Sequence, residues 1–135
     1  MKHKYLLAYM DMAERFALTS EAKRLKVGAL IIKEDRILSL GVNGQPSGWH
    51  TEECEDEEGN TLPTVRHAEQ ACLDKMVRSN DSAEGGTMVV THSPCLPCAL
   101  RIVDARIKEV YYRTNYRDSS GIEYLKKKGV VVTQI

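Results

Sequence analysis

Thr87-Met88-Val89-Val90-Thr91-His92-Ser93-Pro94-Cys95-Leu96-Pro97-Cys98 decides the architecture, because this short stretch passes from strand through turn to helix. Apolar and β-branched residues from Thr87 to Thr91 predict a strand. Pro94 and Pro97 suit the turn and the helix opening behind it, where a missing amide hydrogen costs nothing. The helix is predicted over about Pro97 to Ala105, followed by a strand at Glu109-Val110-Tyr111-Tyr112. A short helix over Gly121 to Lys128, stopped by Gly129, and a last strand from Val130 to Ile135 complete this half. Strands alternating with helices indicate a layered α/β domain.

Working back towards the N-terminus, Leu6, Met10, Ala13, Phe16 and Ala17 recur at helical intervals within Tyr5 to Leu18. Val27 to Ile32 and Ile37 to Val42 flank the polar Lys33-Glu34-Asp35-Arg36 turn and predict a hairpin. Trp49 to Pro63 is acidic and has no period, which predicts a long loop; its run from Glu52 to Glu58 reads as a solubilising excursion. Ala68, Ala71, Cys72 and Met76 suit a helix that follows His67 and ends before Ser79-Asn80-Asp81.

Chemistry concentrates where the two halves meet. His67-Ala68-Glu69 and Pro94-Cys95-Leu96-Pro97-Cys98 follow the order H-x-E…P-C-x-x-C of zinc-dependent deaminases. One imidazole and two thiolates suit zinc, and three protein ligands leave its fourth position open. Glu69 is then free to move protons, as the carboxylate two residues from the ligand His67. Cys95 and Cys98, three apart, share a face in the first turn of their helix. Two helix N-termini converging on the metal would favour the thiolate state. A structural Cys3His site is the competing reading of the same residues and would recruit Cys54 or Cys72. Cys72 falls on the apolar side of its helix, where a buried thiol is the commoner role.

Composition narrows the function classes. The 135 residues carry 19 Lys+Arg and 19 Asp+Glu, so no net charge gathers a polynucleotide. Aromatic residues make up only 6%, which also disfavours a stacking groove for single-stranded nucleic acid. With four cysteines, no secretory signal and no long apolar run, the chain reads as a single soluble domain, residues 1–135, of a reducing compartment. The cytoplasm is the default, with neither membrane nor nucleic acid as partner.

With the zinc motif, Lys26-Val27-Gly28-Ala29, Gly41-Val42-Asn43-Gly44-Gln45-Pro46-Ser47-Gly48 and Ile107-Lys108-Glu109-Val110, the chain resembles the deoxycytidylate deaminases of the cytidine deaminase superfamily. The resemblance implies a single-domain, three-layer α/β fold with a central mixed five-stranded sheet flanked by helices. It implies hydrolysis of deoxycytidylate (dCMP) to dUMP and ammonia at one zinc ion, with Glu69 as proton shuttle. It assigns the Ala68 amide to the pyrimidine, Asn43 to the sugar 3′-hydroxyl and Arg78 to the phosphate, and matches Tyr116 to a tyrosine after the fourth strand that closes on the nucleotide. It implies activation by dCTP and inhibition by dTTP with a magnesium ion, in a homo-oligomer, a hexamer by family likeness. Lys23, Arg24 and Lys26 with the loop of Gly44 and Gln45 are the candidate effector contacts. Ala71 departs from the family, which often has Asn there, and Val65 stands where some members carry a ligand for a second zinc.

Three other functions fit parts of this pattern. A free-nucleoside cytidine deaminase needs no phosphate pocket, and a transfer-RNA or single-stranded DNA deaminase needs a basic groove. A structural or regulatory zinc module would bind without turnover.

Overall fold

The computed structural model describes residues 1–116 and 118–135. Five strands, β1 (Gly28–Lys33), β2 (Arg36–Val42), β3 (Thr87–His92), β4 (Glu109–Thr114) and β5 (Val131–Gln134), form one sheet in the order β2-β1-β3-β4-β5. β1 runs antiparallel to β2 and β3, whereas β3, β4 and β5 are parallel. Parallel neighbours require crossovers, which α3 (Leu96–Asp104) and α4 (Ser120–Lys127) provide. The helices α1 (His3–Ala17) and α2 (Ala68–Met76) complete the set, so the sheet is mixed and five-stranded, as the resemblance implied.

Alternation within the central strands creates two apolar faces. Leu30, Ile32 and Val89 meet Leu6, Met10 and Ala13 of α1 on one face. Ala29, Ile31, Met88, Val90 and Val110 pack on the other against Ala68 and Cys72 of α2, Ala99 and Ile102 of α3, and Leu125 of α4. The result is three layers, with β1 and β3 buried along nearly their whole length. Phe16, expected on the inner face of α1, is 39% exposed and points outward, because Ala13 and Ala17 bring the helix backbone close to the sheet.

The hairpin turn is tighter than the predicted polar tetrad. Lys33 pairs with Arg36, leaving Glu34 (φ 52°) and Asp35 (φ 60°) as a two-residue loop with both central residues left-handed. That twist matches the flanking strands. A bulge between Ile31 and Ile32 then shifts the register so that Ile31 faces Ser39 while Ile32 faces Ile37.

Candidate metal centre and its cavity

His67 is the N-cap residue of α2 and Cys95 the N-cap residue of α3, both in extended backbone conformation, with Cys98 one turn further into α3. The sequence expectation of two converging helix N-termini therefore holds, with Cys95 at the cap rather than inside the first turn. His67 Nδ1 lies 3.3 Å from Cys95 Sγ and 3.3 Å from Cys98 Sγ. All three ligand atoms fall within 4.8 Å of one another. Nitrogen and sulfur donors on a tetrahedral zinc stand about 3.5 Å apart, so this donor set fits zinc with an adjustment of a few tenths of an ångström. Cys54 and Cys72 lie outside the cluster; Cys72 is fully buried in the core, where desolvation pushes its thiol up to about 12.

Electrostatics around the cluster follow from its donors. Hydrogen bonding from the Cys98 thiol, assisted by His67, pulls Cys95 down to about 4 against the cost of burial. The same shared proton raises Cys98, and a cation on the three atoms would displace it. His67 is raised, first by its hydrogen bond to Cys95. Glu69, in the first turn of α2, is only 4% exposed. Burial pushes its carboxyl up to about 7, opposed by its own backbone amide and reinforced by the Cys95 charge. A carboxyl poised near neutrality can accept and return a proton.

His67, Glu69 and Cys95 open onto a cavity of about 320 Å³, within the range of small-molecule sites. His67, Ala68, Glu69, Cys95, Asn43 and Tyr116 all line it. Tyr116 is held there by its amide, which donates to Ser93 Oγ at 2.6 Å. Asn43 also ties the chain together: its Oδ1 accepts from the Val27 amide at 2.8 Å and its Nδ2 donates to the Leu25 carbonyl at 2.7 Å. One N–H and one lone pair of the carboxamide are left for a ligand.

The cations are distributed differently from the sequence expectation. Arg78 lies beyond the C-cap of α2, exposed, while His67 caps the opposite end. At 1.5 Å per residue the two are about 16 Å apart. Arg78 therefore does not line the cavity. Arg24 does, although the sequence grouped it with Lys23 and Lys26 as an effector contact. Lys26 Nζ is bound to the Ser20 carbonyl at 2.7 Å. Gly44 and Gln45 line a second cavity of about 300 Å³ together with Glu21 and Glu52, which the basic cluster does not enter. Asn43 lines both cavities, with Arg24 in the wall of the first and Glu21 and the Gly44–Gly48 turn in the wall of the second.

Cys54, Glu55 and Thr61 of the acidic loop, and Val65 just beyond it, also form cavity wall, as do His92 and Ser93. Position beside the Pro94-Cys95 motif was a usable signal for His92 and Ser93; the loop residues had none.

Gly121 explains how α4 supports the metal loop. A Cβ there would stand 2.1 Å from the Pro94 carbonyl oxygen and 2.8 Å from the Cys95 carbonyl carbon and oxygen. Gly121→Ala is expected to displace Cys95, so zinc should be lost at a chelator concentration about tenfold lower than for wild type, comparable to the loss of a supporting contact around a ligand. Unchanged zinc retention in a chelator titration would remove this role.

The family description "Cytidine and deoxycytidylate deaminase zinc-binding region" matches residues 3–114. The crystal structure of dCMP deaminase from the cyanophage S-TIM5, in complex with dCMP and dUMP, is 47% identical, with a TM-score of 0.98 over 100% of this chain and 99% of that one. ComE operon protein 2 of Bacillus subtilis is 32% identical over 94% of this chain and 69% of its own length. Deoxycytidylate deaminase of Saccharomyces cerevisiae is 30% identical over 93% of this chain, which spans only 43% of that protein. With the metal cluster, the cavity and a family match over most of its length in agreement, the chain belongs to the cytidine and deoxycytidylate deaminase family.

Proposed function

We propose that the chain, acting as a single zinc-dependent deaminase domain, hydrolyses dCMP to dUMP and ammonia, a route to dUMP for thymidylate synthesis. One observation carries the reading: two members of the three-donor cluster, His67 and Cys95, line the same cavity as the buried Glu69 and as Arg24. Zinc, held by His67, Cys95 and Cys98, would supply a water acidic enough to ionise near neutral pH. Glu69 accepts a proton from the attacking water and returns it to ring N3 as oxygen bonds to C4; it then takes the proton of the new C4 hydroxyl and passes it to the amine, which leaves as ammonia as the C4–N4 bond breaks and the C4 carbonyl forms. The Ala68 amide and the remaining Asn43 valences orient base and sugar. Tyr116, in the cavity wall, closes on the nucleotide. Arg24 supplies the charge that separates a nucleotide from a nucleoside, its planar fork of donors matching phosphate oxygens.

Turnover of deoxycytidine and of its mono-, di- and triphosphates tests the substrate class. Wild type should favour dCMP. Arg24→Ala should lower the ratio of kcat/KM for dCMP to that for deoxycytidine about 10- to 100-fold, the worth of one charge-assisted hydrogen bond. Arg78→Ala should leave that ratio unchanged in the same assay. Equal use of nucleoside and nucleotide by wild type would instead favour a free-nucleoside deaminase.

Regulation by dCTP and dTTP belongs to the same proposal, with the Gly44–Gly48 cavity as effector site. Glu21 and Glu52 support a role there for magnesium, which takes carboxylate oxygens alongside phosphate. A hexamer is supported by exposed Val77, Leu96 and Leu100 around α2 and α3. The free state of all four cysteines supports a reducing cytoplasm. Among the described residues, no helix is long and apolar enough to cross a membrane.

A further inference from the structure

The acidic loop folds back on itself rather than extending into solvent. The Leu62 amide donates to the Cys54 carbonyl at 2.8 Å, the Asp56 amide to the Asn60 carbonyl at 2.8 Å, and Glu55 pairs with Thr61 in an antiparallel bridge. Cys54 at its base is 2% exposed. Gln45 Nε2 ties the loop to the neighbouring turn through the Glu53 carbonyl at 2.8 Å. The acids at 52, 53, 56, 57 and 58 are exposed, whereas Glu55 is half-buried against the cavity.

Glu55 Oε2 accepts two consecutive backbone amides, from Lys23 at 3.0 Å and Arg24 at 3.3 Å. The segment joining α1 to β1 has no regular structure, so side-chain anchors set its course. Ser20 Oγ receives the Ala22 amide and Asn43 holds Leu25 and Val27. Between those anchors, Glu55 is what fixes residues 23 and 24. Two amides on one oxygen define the backbone at Arg24 and with it the direction of its Cα–Cβ bond. The long Arg24 side chain makes no ion pair among the described residues, so that direction decides whether its guanidinium is available at the cavity. The Glu55 charge is spent on the amides, which reduces its repulsion of an incoming phosphate.

We infer that Glu55 is a positioning residue that holds Arg24 towards the cavity through the Lys23 and Arg24 amides, and so sets the preference for a 5′-phosphorylated nucleoside. The inference rests on the dCMP reading above. Its test compares kcat and KM for dCMP and deoxycytidine in zinc-loaded wild type, Glu55→Ala, Glu55→Gln, Arg24→Ala and the Glu55→Ala/Arg24→Ala pair, with thermal midpoints alongside. Glu55→Ala should lower the dCMP-to-deoxycytidine ratio about tenfold, through KM for dCMP, as loss of one well-aligned charged contact does. Glu55→Gln keeps a carbonyl oxygen for both amides and should stay within about threefold of wild type. The double variant should fall no further than Arg24→Ala, because the two residues act through one contact.

A Glu55→Ala variant that weakens both substrates equally, or that leaves the ratio unchanged while Arg24→Ala lowers it, overturns the Glu55 role and spares the dCMP reading. A Glu55→Gln variant as impaired in ratio as Glu55→Ala also overturns it. Full selectivity in Arg24→Ala removes the residue through which Glu55 is inferred to act. Absence of any preference in wild type overturns the dCMP reading itself, and the inference with it.

Discussion

Replacing Glu69 with Gln is expected to lower kcat for dCMP by about a thousandfold, within the range over which a positioned proton donor and acceptor accelerates a reaction. The expectation rests on location rather than residue type alone. Glu69 is 4% exposed, in the first turn of the helix capped by His67, and it lines the cavity shared with the metal-ligand cluster. Gln preserves volume and shape, so α2 should remain folded. It carries no charge, so a carboxylate that is costly to bury is replaced by an amide that is less so. It cannot accept the water's proton. Zinc content should therefore match wild type and the thermal midpoint should be equal or higher, while turnover collapses. Substantial ammonia release by zinc-loaded Glu69→Gln would remove the carboxylate from the mechanism. Loss of zinc in parallel with activity would reassign Glu69 to building the metal site.

Gly41→Ala is expected to be strongly destabilising for a single added methyl group. Gly41 pairs with Ala29 across the hairpin and lies directly beneath the first turn of α2. A Cβ at this position would be 2.2 Å from the Ala68 carbonyl oxygen, 2.5 Å from the Cys72 amide nitrogen and 2.9 Å from Cys72 Cβ. Two of the three obstacles are backbone atoms, which cannot rotate aside. The helix must lift, and His67 and Glu69 must lift with it. Overpacking of this kind costs about 2–3 kcal/mol, which in a domain of this size lowers the thermal midpoint by about 10 °C. Activity should fall with stability, because β2 sets the height of the metal-bearing helix. Gly44→Ala is the matched control: nothing lies within 4 Å of the added Cβ there, and its midpoint should stay within about 2 °C of wild type. A Gly41→Ala protein with an unchanged thermal midpoint would contradict the close approach.

Local order was legible in the sequence. The four helices and five strands among the described residues lie close to the positions read from the sequence, because the apolar periods of α1, β1 and β3 are the buried faces themselves. Phe16 is the exception: it satisfies the period of α1 yet points outward, since the contact is made by Ala13 and Ala17 and has no room for a ring. The metal cluster was equally legible. Its residues are specified by donor chemistry, and both ligand segments sit at helix starts that their own flanking residues announce.

The charged residues around the cavity were not legible, because helix length and loop return decide where they end up. Arg78 is carried to the far end of α2 from His67. Arg24, which looked like one member of a surface cluster, reaches the cavity because Asn43 and Glu55 hold the segment around it. Glu55 lies 31 positions from Arg24, inside an acidic run whose composition suggested only solubility. By itself the sequence determined the layered α/β architecture, the zinc-type donor set and the proton-shuttle candidate, since periodicity and donor chemistry are local properties. Only the tertiary structure decided which arginine lines the cavity and that the acidic loop walls it, since both depend on contacts between segments that no local pattern relates.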